Sequence, residues 1–242
     1  NENAPQFHII SAGSLLGVAI HSQTSFPVGK VEFLELHPLS FEEVLDAMDQ
    51  QPLLDLIKNN QWNLVKSFKT KFIQYLRNYY FTGGMPEAVL SFRDKNNFNE
   101  VRAIQKAILT AYENDFSKHA PGEIVPRIRM LWNSIPAQLA KENKKFIYKA
   151  VKPGSRSKDY ELALSWLIDC GLVHKIYRAS KPGIPLKAYE DMTAFKLFIN
   201  DTGLLAAMGD IDVRTLLEAN KIFQEFKGAL TEQYVLQQLK TF

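Results

Sequence analysis

Cysteine is nearly absent from this 242-residue sequence: Cys170 stands alone, inside an apolar helical stretch. A single thiol forms no internal disulfide and supplies neither a zinc cluster nor a CxxC redox site. No apolar run approaches the roughly 18 residues a membrane span needs, and no basic-then-apolar leader precedes a small-residue cleavage site. The expectation is therefore a cytoplasmic protein with no membrane partner. Glycine and proline are few, 12 and 11 residues, so collagen-like and low-complexity classes are excluded. Histidine is scarce too. The five histidines, His8, His21, His37, His119 and His174, never stand three or four apart, so no helix face offers two metal ligands. A GxxxxGK[ST] phosphate loop, a GxGxxG dinucleotide turn and a GxSxG nucleophile elbow are all missing.

What remains is an ordinary globular composition, 46% hydrophobic and 12% aromatic, with a formal charge of only +3. The charge is unevenly spread. Between Lys141 and Lys187 stand 11 basic residues and four acidic ones, a local +7, which leaves −4 on the other 195 residues. Basic side chains at that density could neutralise phosphates along a groove, which makes DNA a candidate partner. A solvated lysine-rich face, or a face meeting an acidic neighbour domain, is the alternative.

Periodicity divides the chain. Phe7 to Ser11 reads as a buried core strand ended by Ala12-Gly13-Ser14, and Val31 to Leu36 alternates apolar with acidic residues like a strand with one wet face. Ser40-Phe41-Glu42-Glu43 is a capping box that opens a helix through Met48. From there to about Asn143 the pattern is helical. Trp62, Val65, Phe68, Phe72, Tyr75, Leu76 and Tyr79 make one apolar stripe beside Lys66, Lys69, Lys71 and Arg77. Gly83-Gly84-Met85-Pro86 stops it, and helices follow over Phe98–Phe116 and Ile124–Leu139. On one of these, Tyr112, Asp115 and Lys118 suggest an intrahelical ion pair.

From Phe146 the texture changes: FIYKAV, a Lys-Pro-Gly-Ser loop, a helix from Ser157 to Cys170, LVHKIYRAS, a Pro/Gly tip at residues 181–185, and two strand-like runs, LKAY and AFKLFI. Helix, strand, tip and returning strand is the order of a winged helix. A short helix to Met208 and an amphipathic one from Phe223 end the chain.

Several motifs together resemble a group of bacterial and archaeal AAA-type P-loop ATPases that carry an uncharacterised conserved domain after the ATPase. AGSLLG and SFPVGKVEFLELHPLSFEEVL look like the end of the ATPase module. Gly83-Gly84-Met85-Pro86-Glu87, Tyr112 to Lys118, RSKDYELALSWLIDCGLVHKI, Pro185-Leu186 and FINDTGLLAAM resemble the following domain. The resemblance implies the back half of an ATP-binding protein, its Walker A loop and acidic Walker B strand lying upstream of Asn1. The implied fold is mixed α/β and mostly α. Residues 1–39 would end a P-loop α/β ATPase core, 40–143 form a helical lid or bundle, 144–208 a winged helix, and 209–242 the helical start of a nuclease-like domain.

The implied cofactors are ATP and magnesium, with self-association through the ATPase module. Ser14 matches a polar sensor near the terminal phosphate, with a helix N-cap as the alternative. Lys30 stands where the family commonly has arginine, and a lysine forms no bidentate fork with phosphate. Glu232 falls at the acidic position of the nuclease-like helix; a surface charge is the alternative. The candidate nucleic-acid residues are Lys144, Lys145, Lys149, Arg156 and Lys181. The function expected is coupling of nucleotide binding to movement of the winged helix, with a DNA-binding module or a protein-interaction scaffold as alternatives.

Overall fold

The structure is a computed structural model and describes residues 10, 13, 32–141, 145–218 and 224–241. It is mostly helical, with one two-stranded antiparallel sheet. Apart from Ile10, the strand expected at residues 7–11 lies outside the described residues, as do the site residues Ser14, Lys30 and Lys144. Residues 32–36 are exposed and, among the described residues, join no sheet, unlike the strand their alternation predicts. Alternation specifies a face, but a strand also needs a neighbour for its backbone groups.

Ser40 caps α1 (Phe41–Ala47) as its capping box predicts: its hydroxyl accepts the Glu43 N–H at 3.2 Å, and its own N–H donates to Glu43 at 2.7 Å. Helices α2 (Gln51–Lys58), α3 (Trp62–Ser67) and α4 (Lys69–Thr82) follow. The long helix predicted around Trp62 is thus broken at Phe68. Asp49 and Asn60, both with positive φ, turn the chain on either side of α2. Trp62 and Phe68 also leave the core that their spacing suggested, at 54% and 49% exposure. A 3.6 period identifies a face without saying what covers it.

Helices α5 (Pro86–Lys95), α6 (Phe98–His119) and α7 (Val125–Ala140) complete the helical part. Phe116 joins α6 to its neighbours, meeting the Trp132 ring edge-on at 5.8 Å and the Trp166 ring at 5.6 Å. Such contacts add about 0.5–1.5 kcal/mol each beyond area burial. On α6 the i,i+4 partner of Asp115 is His119, at 3.9 Å.

Beyond α7 the chain forms α8 (Tyr148–Val151), a 3-10 turn at Ser157–Asp159, α9 (Glu161–Asp169), β1 (Val173–Ala179) and β2 (Glu190–Ile199). FIYKAV is mainly helical, and the Phe146 N–H ahead of α8 donates to the Phe195 carbonyl at 2.6 Å. The helix predicted from Ser157 begins only at Glu161, because Tyr160 leaves helical geometry. LKAY is a 3-10 turn, closed by the Ala188 N–H on the Pro185 carbonyl, and pairing resumes at Glu190. The register runs from Val173 opposite Ile199 to Ala179 opposite Glu190, shifting between Tyr177 and Arg178. Helices α10 (Thr202–Met208), α11 (Val213–Glu218) and α12 (Gln224–Thr241) follow. One continuous apolar cluster, with Tyr79, Phe116, Ile128, Trp132, Leu167, Ile199 and Leu205 at its centre, reaches from Phe41 to Leu230.

Candidate functional site

Three short non-helical segments converge at one buried place: Leu39 before α1, Gly83-Gly84 between α4 and α5, and Asn200-Asp201 between β2 and α10. Their glycines are there because there is no room for more. A Cβ on Gly84 would stand 2.1 Å from the Leu39 carbonyl oxygen, and one on Gly203 would stand 2.5 Å from the Gly83 nitrogen. At Gly83, φ is +69 and a Cβ would meet the Asp201 carboxylate at 2.1 Å.

Asp201 is fully buried. Its Oδ2 accepts the Gly84 N–H at 2.6 Å and Gln237 Nε2 at 3.2 Å, and its Oδ1 caps α10 by accepting the Leu204 N–H at 2.9 Å. Burial raises its pKa, opposed by the amides of Gly84, Leu204, Gly203 and Gln237.

Helix α12 closes the site with three glutamines. Gln233 accepts from the Ile199 N–H at 3.1 Å and donates to the Ile199 carbonyl at 2.6 Å, as a strand neighbour would. Gln237 Oε1 accepts both the N–H and the hydroxyl of Thr202, at 2.9 and 2.7 Å. Gln238 accepts the Phe41 N–H at 2.7 Å and donates to the Tyr79 hydroxyl at 3.2 Å, which itself donates to the Leu39 carbonyl at 2.6 Å. On the other side Gln105 donates to the carbonyls of Phe81 and Thr82 and accepts from Arg102, whose guanidinium lies 4.3 Å over the Phe81 ring.

This network joins segments that are distant in sequence. Its carboxylate faces amides and is closed to solvent, while Leu39 and Gln238 at its edge are partly exposed. Elsewhere, burial pushes the Cys170 thiol up to about 12, far from a reactive thiolate. Burial, with Lys240 and His37 nearby, holds His174 down to about 4. Among the described residues no group of three or more His, Cys, Asp or Glu could hold a metal ion, and no helix is long and apolar enough to cross a membrane.

The basic residues do not share one element. Lys145 borders a shallow cleft with Lys196, Gln138 and Phe146; Lys149 is exposed on α8; Arg156 opens the turn before α9. Lys181, near the hairpin tip, stacks over Tyr189 at 4.7 Å. Lys175 stacks on Tyr177 and Phe195, and Arg178 pairs with Asp191. The outward positions of α9, Glu161, Leu162, Ser165 and Asp169, carry no cation. Glu232 forms a surface ion pair with Lys196 at 2.7 Å.

Residues 73–215 match a family described as a domain of unknown function, DUF8612. The chain belongs to that family. No curated protein and no solved structure matches it. The DUF8612 span contains Gly83, Gly84, Gln105, Asp201 and the helix-and-hairpin unit, while Leu39 and the α12 glutamines lie on either side of it. Residue patterns alone passed over Asp201 and these glutamines. The signal was present: Gln233 and Gln237 stand four apart on one helix face, flanked by Ala229 and Leu230, which are buried.

Proposed function

We propose that this chain is the coupling end of an ATP-binding AAA-type P-loop ATPase, which transmits nucleotide-dependent movement from an upstream core to a winged-helix module. The observation that carries this reading is the joint at Leu39. Its N–H donates to the Gly84 carbonyl at 2.8 Å and its carbonyl accepts the Tyr79 hydroxyl at 2.6 Å. Gly84 in turn holds Asp201, which caps the helix following the hairpin. A displacement of the segment entering at Leu39 therefore meets closely packed backbone at every step.

The joint itself holds no nucleotide: the spaces beside Gly83, Gly84 and Gly203 are filled by carboxylate and backbone atoms. ATP and magnesium belong to the upstream core, with Ser14 and Lys30 in supporting roles, and self-association runs through that core in the cytoplasm. The test is a chain extended upstream by one ATPase half-domain, titrated with a fluorescent ATP analogue with and without magnesium. Binding by the extended chain alone is expected. Absence of binding by both overturns the reading.

The exposure of Lys145, Lys149, Arg156 and Lys181 favours a second reading, in which the winged-helix module contacts DNA. Because α9 shows the solvent acidic and neutral residues, the contacts are to phosphates and carry little sequence information. Affinity should then fall steeply with salt, with a log–log slope smaller by about one for each of Lys149, Arg156 or Lys181 changed to glutamine. Salt-insensitive binding, or none, removes it.

A further inference from the structure

From Leu56 to Pro86 the sequence has no acidic residue, while Lys58, Lys66, Lys69, Lys71 and Arg77 lie within it. The four lysines are exposed. Helix α3 in the middle of this stretch buries none of its residues, and Trp62, Leu64 and Phe68 stand 54%, 46% and 49% exposed. Large apolar side chains interleaved with lysines on a short helical corner have the make-up of a surface that lies in a bilayer interface.

Helix electrostatics point the same way. Lys69 and Lys71 sit in the first turn of α4, where the macrodipole is positive. Phe68 at its N-cap supplies no side-chain hydrogen bond, and the first turn holds no acid. At α3 the N-cap Gln61 supplies none either, and again no acid stands in the first turn. Cations placed against the dipole work against the helix they stand on. An anionic surface laid across them removes that conflict.

We propose that the α3–α4 corner is a peripheral membrane-contact site, which takes an anionic phospholipid surface by inserting Trp62, Leu64 and Phe68 among headgroups held by Lys58, Lys66, Lys69 and Lys71. Aliphatic Leu64 between two aromatic rings suits acyl chains better than stacked bases. Among the described residues no helix is long and apolar enough to cross a membrane, which is silent on a segment that lies on the surface. The site is independent of the coupling reading above.

The protein carries its own reporter. Of its three tryptophans only Trp62 is exposed; Trp132 and Trp166 are 1% and 7% exposed. The whole chain is mixed with phosphatidylcholine vesicles, with and without about one third phosphatidylglycerol, and tryptophan emission is followed together with cosedimentation. A blue shift and sedimentation are expected with anionic vesicles alone, weakening as salt rises, and the Trp62→Phe variant should sediment without the shift. Two variants that keep Trp62, Leu64→Ser with Phe68→Ser, and Lys66→Gln with Lys69→Gln and Lys71→Gln, should each lower partitioning by roughly tenfold or more. The lysine variant should unfold at an equal or higher urea concentration, which separates lost binding from lost folding. No response to anionic vesicles, or an equal response to neutral ones, overturns the proposal. So does Trp62 quenching by an oligonucleotide that vesicles do not compete away, which makes nucleic acid the occupant. A blue shift that grows with protein concentration in the absence of vesicles makes a second copy the occupant and overturns it equally.

Discussion

The carboxylate of Asp201 accepts the backbone N–H of Gly84 at 2.6 Å across 117 positions of sequence. One bond thus ties the break between α4 and α5 to the start of α10, and the same oxygen receives Gln237 from α12. A buried carboxylate without a cationic partner is costly unless every lone pair is used. Here burial is offset by amides alone, which makes the bonds interdependent.

Asp201→Asn keeps the shape but turns a donor toward donors, so either Leu204, or Gly84 together with Gln237, loses its acceptor. Asp201→Ala leaves all three without one. We expect losses of about 2–4 kcal/mol for Asn and at least as much for Ala, read from urea unfolding midpoints. A change within about 0.5 kcal/mol, the ordinary range for a surface site, would show that the joint adds no stability.

Two glycines give opposite expectations for one substitution. Gly84→Ala drives a methyl to 2.1 Å from the Leu39 carbonyl oxygen, a backbone atom that moves only if the joint opens. About 2–4 kcal/mol of destabilisation should follow. Gly122→Ala meets nothing within 4 Å and should leave the unfolding midpoint nearly unchanged. Equal effects at the two sites would mean that close approach at Gly84 is relieved without cost.

Local signals in the sequence translated well wherever the determinant was local. The Ser40 capping box, the stop at Gly83-Gly84 and the helix behind Asp201 are each set by residues within four positions. Signals that depend on a distant partner did not. The alternation at residues 32–36 has no neighbouring strand among the described residues, and the Trp62 to Tyr79 stripe gave no warning that its first turns would stay outside the core. LKAY is an exception to that division, since it has strand composition yet a local turn closed on Pro185 claims it. The joint itself was visible only as punctuation, since the partners of Gly84 and Asp201 are far away in sequence.

Cys170 should behave as a core residue in chemistry as well as in packing. Its thiol is buried and its pKa pushed up to about 12, with Asp169 and Asp115 adding to the effect of burial. Reaction with a disulfide reagent near neutral pH should be slower by about a hundredfold or more in the native protein than in urea, because the thiolate is the nucleophile. Similar rates in the two states would place the thiol within reach of solvent.

His174 supplies a pH dependence of defined sign. Burial first, then Lys240 and His37, lower its pKa from the ordinary 6.5 to about 4, while Glu35 acts in the opposite direction. The folded state therefore binds fewer protons than the unfolded chain between those values. The stability that comes from keeping His174 neutral is present above pH 6.5 and is lost as pH falls toward 4, on the order of 2 kcal/mol after allowing for partial exposure. Lys240, His37 and Glu35 all act electrostatically on the ring, and His37 and Lys240 each stand 3.8 Å from Glu35. The informative quantity is therefore the difference between the native protein and His174→Gln. Urea midpoints of the two should diverge between pH 6.5 and 4, the variant losing less stability on acidification, and the imidazole resonance should titrate near pH 4. Parallel curves, or titration near 6.5, would mean that solvent reaches the ring and that its neutral form contributes nothing to the fold.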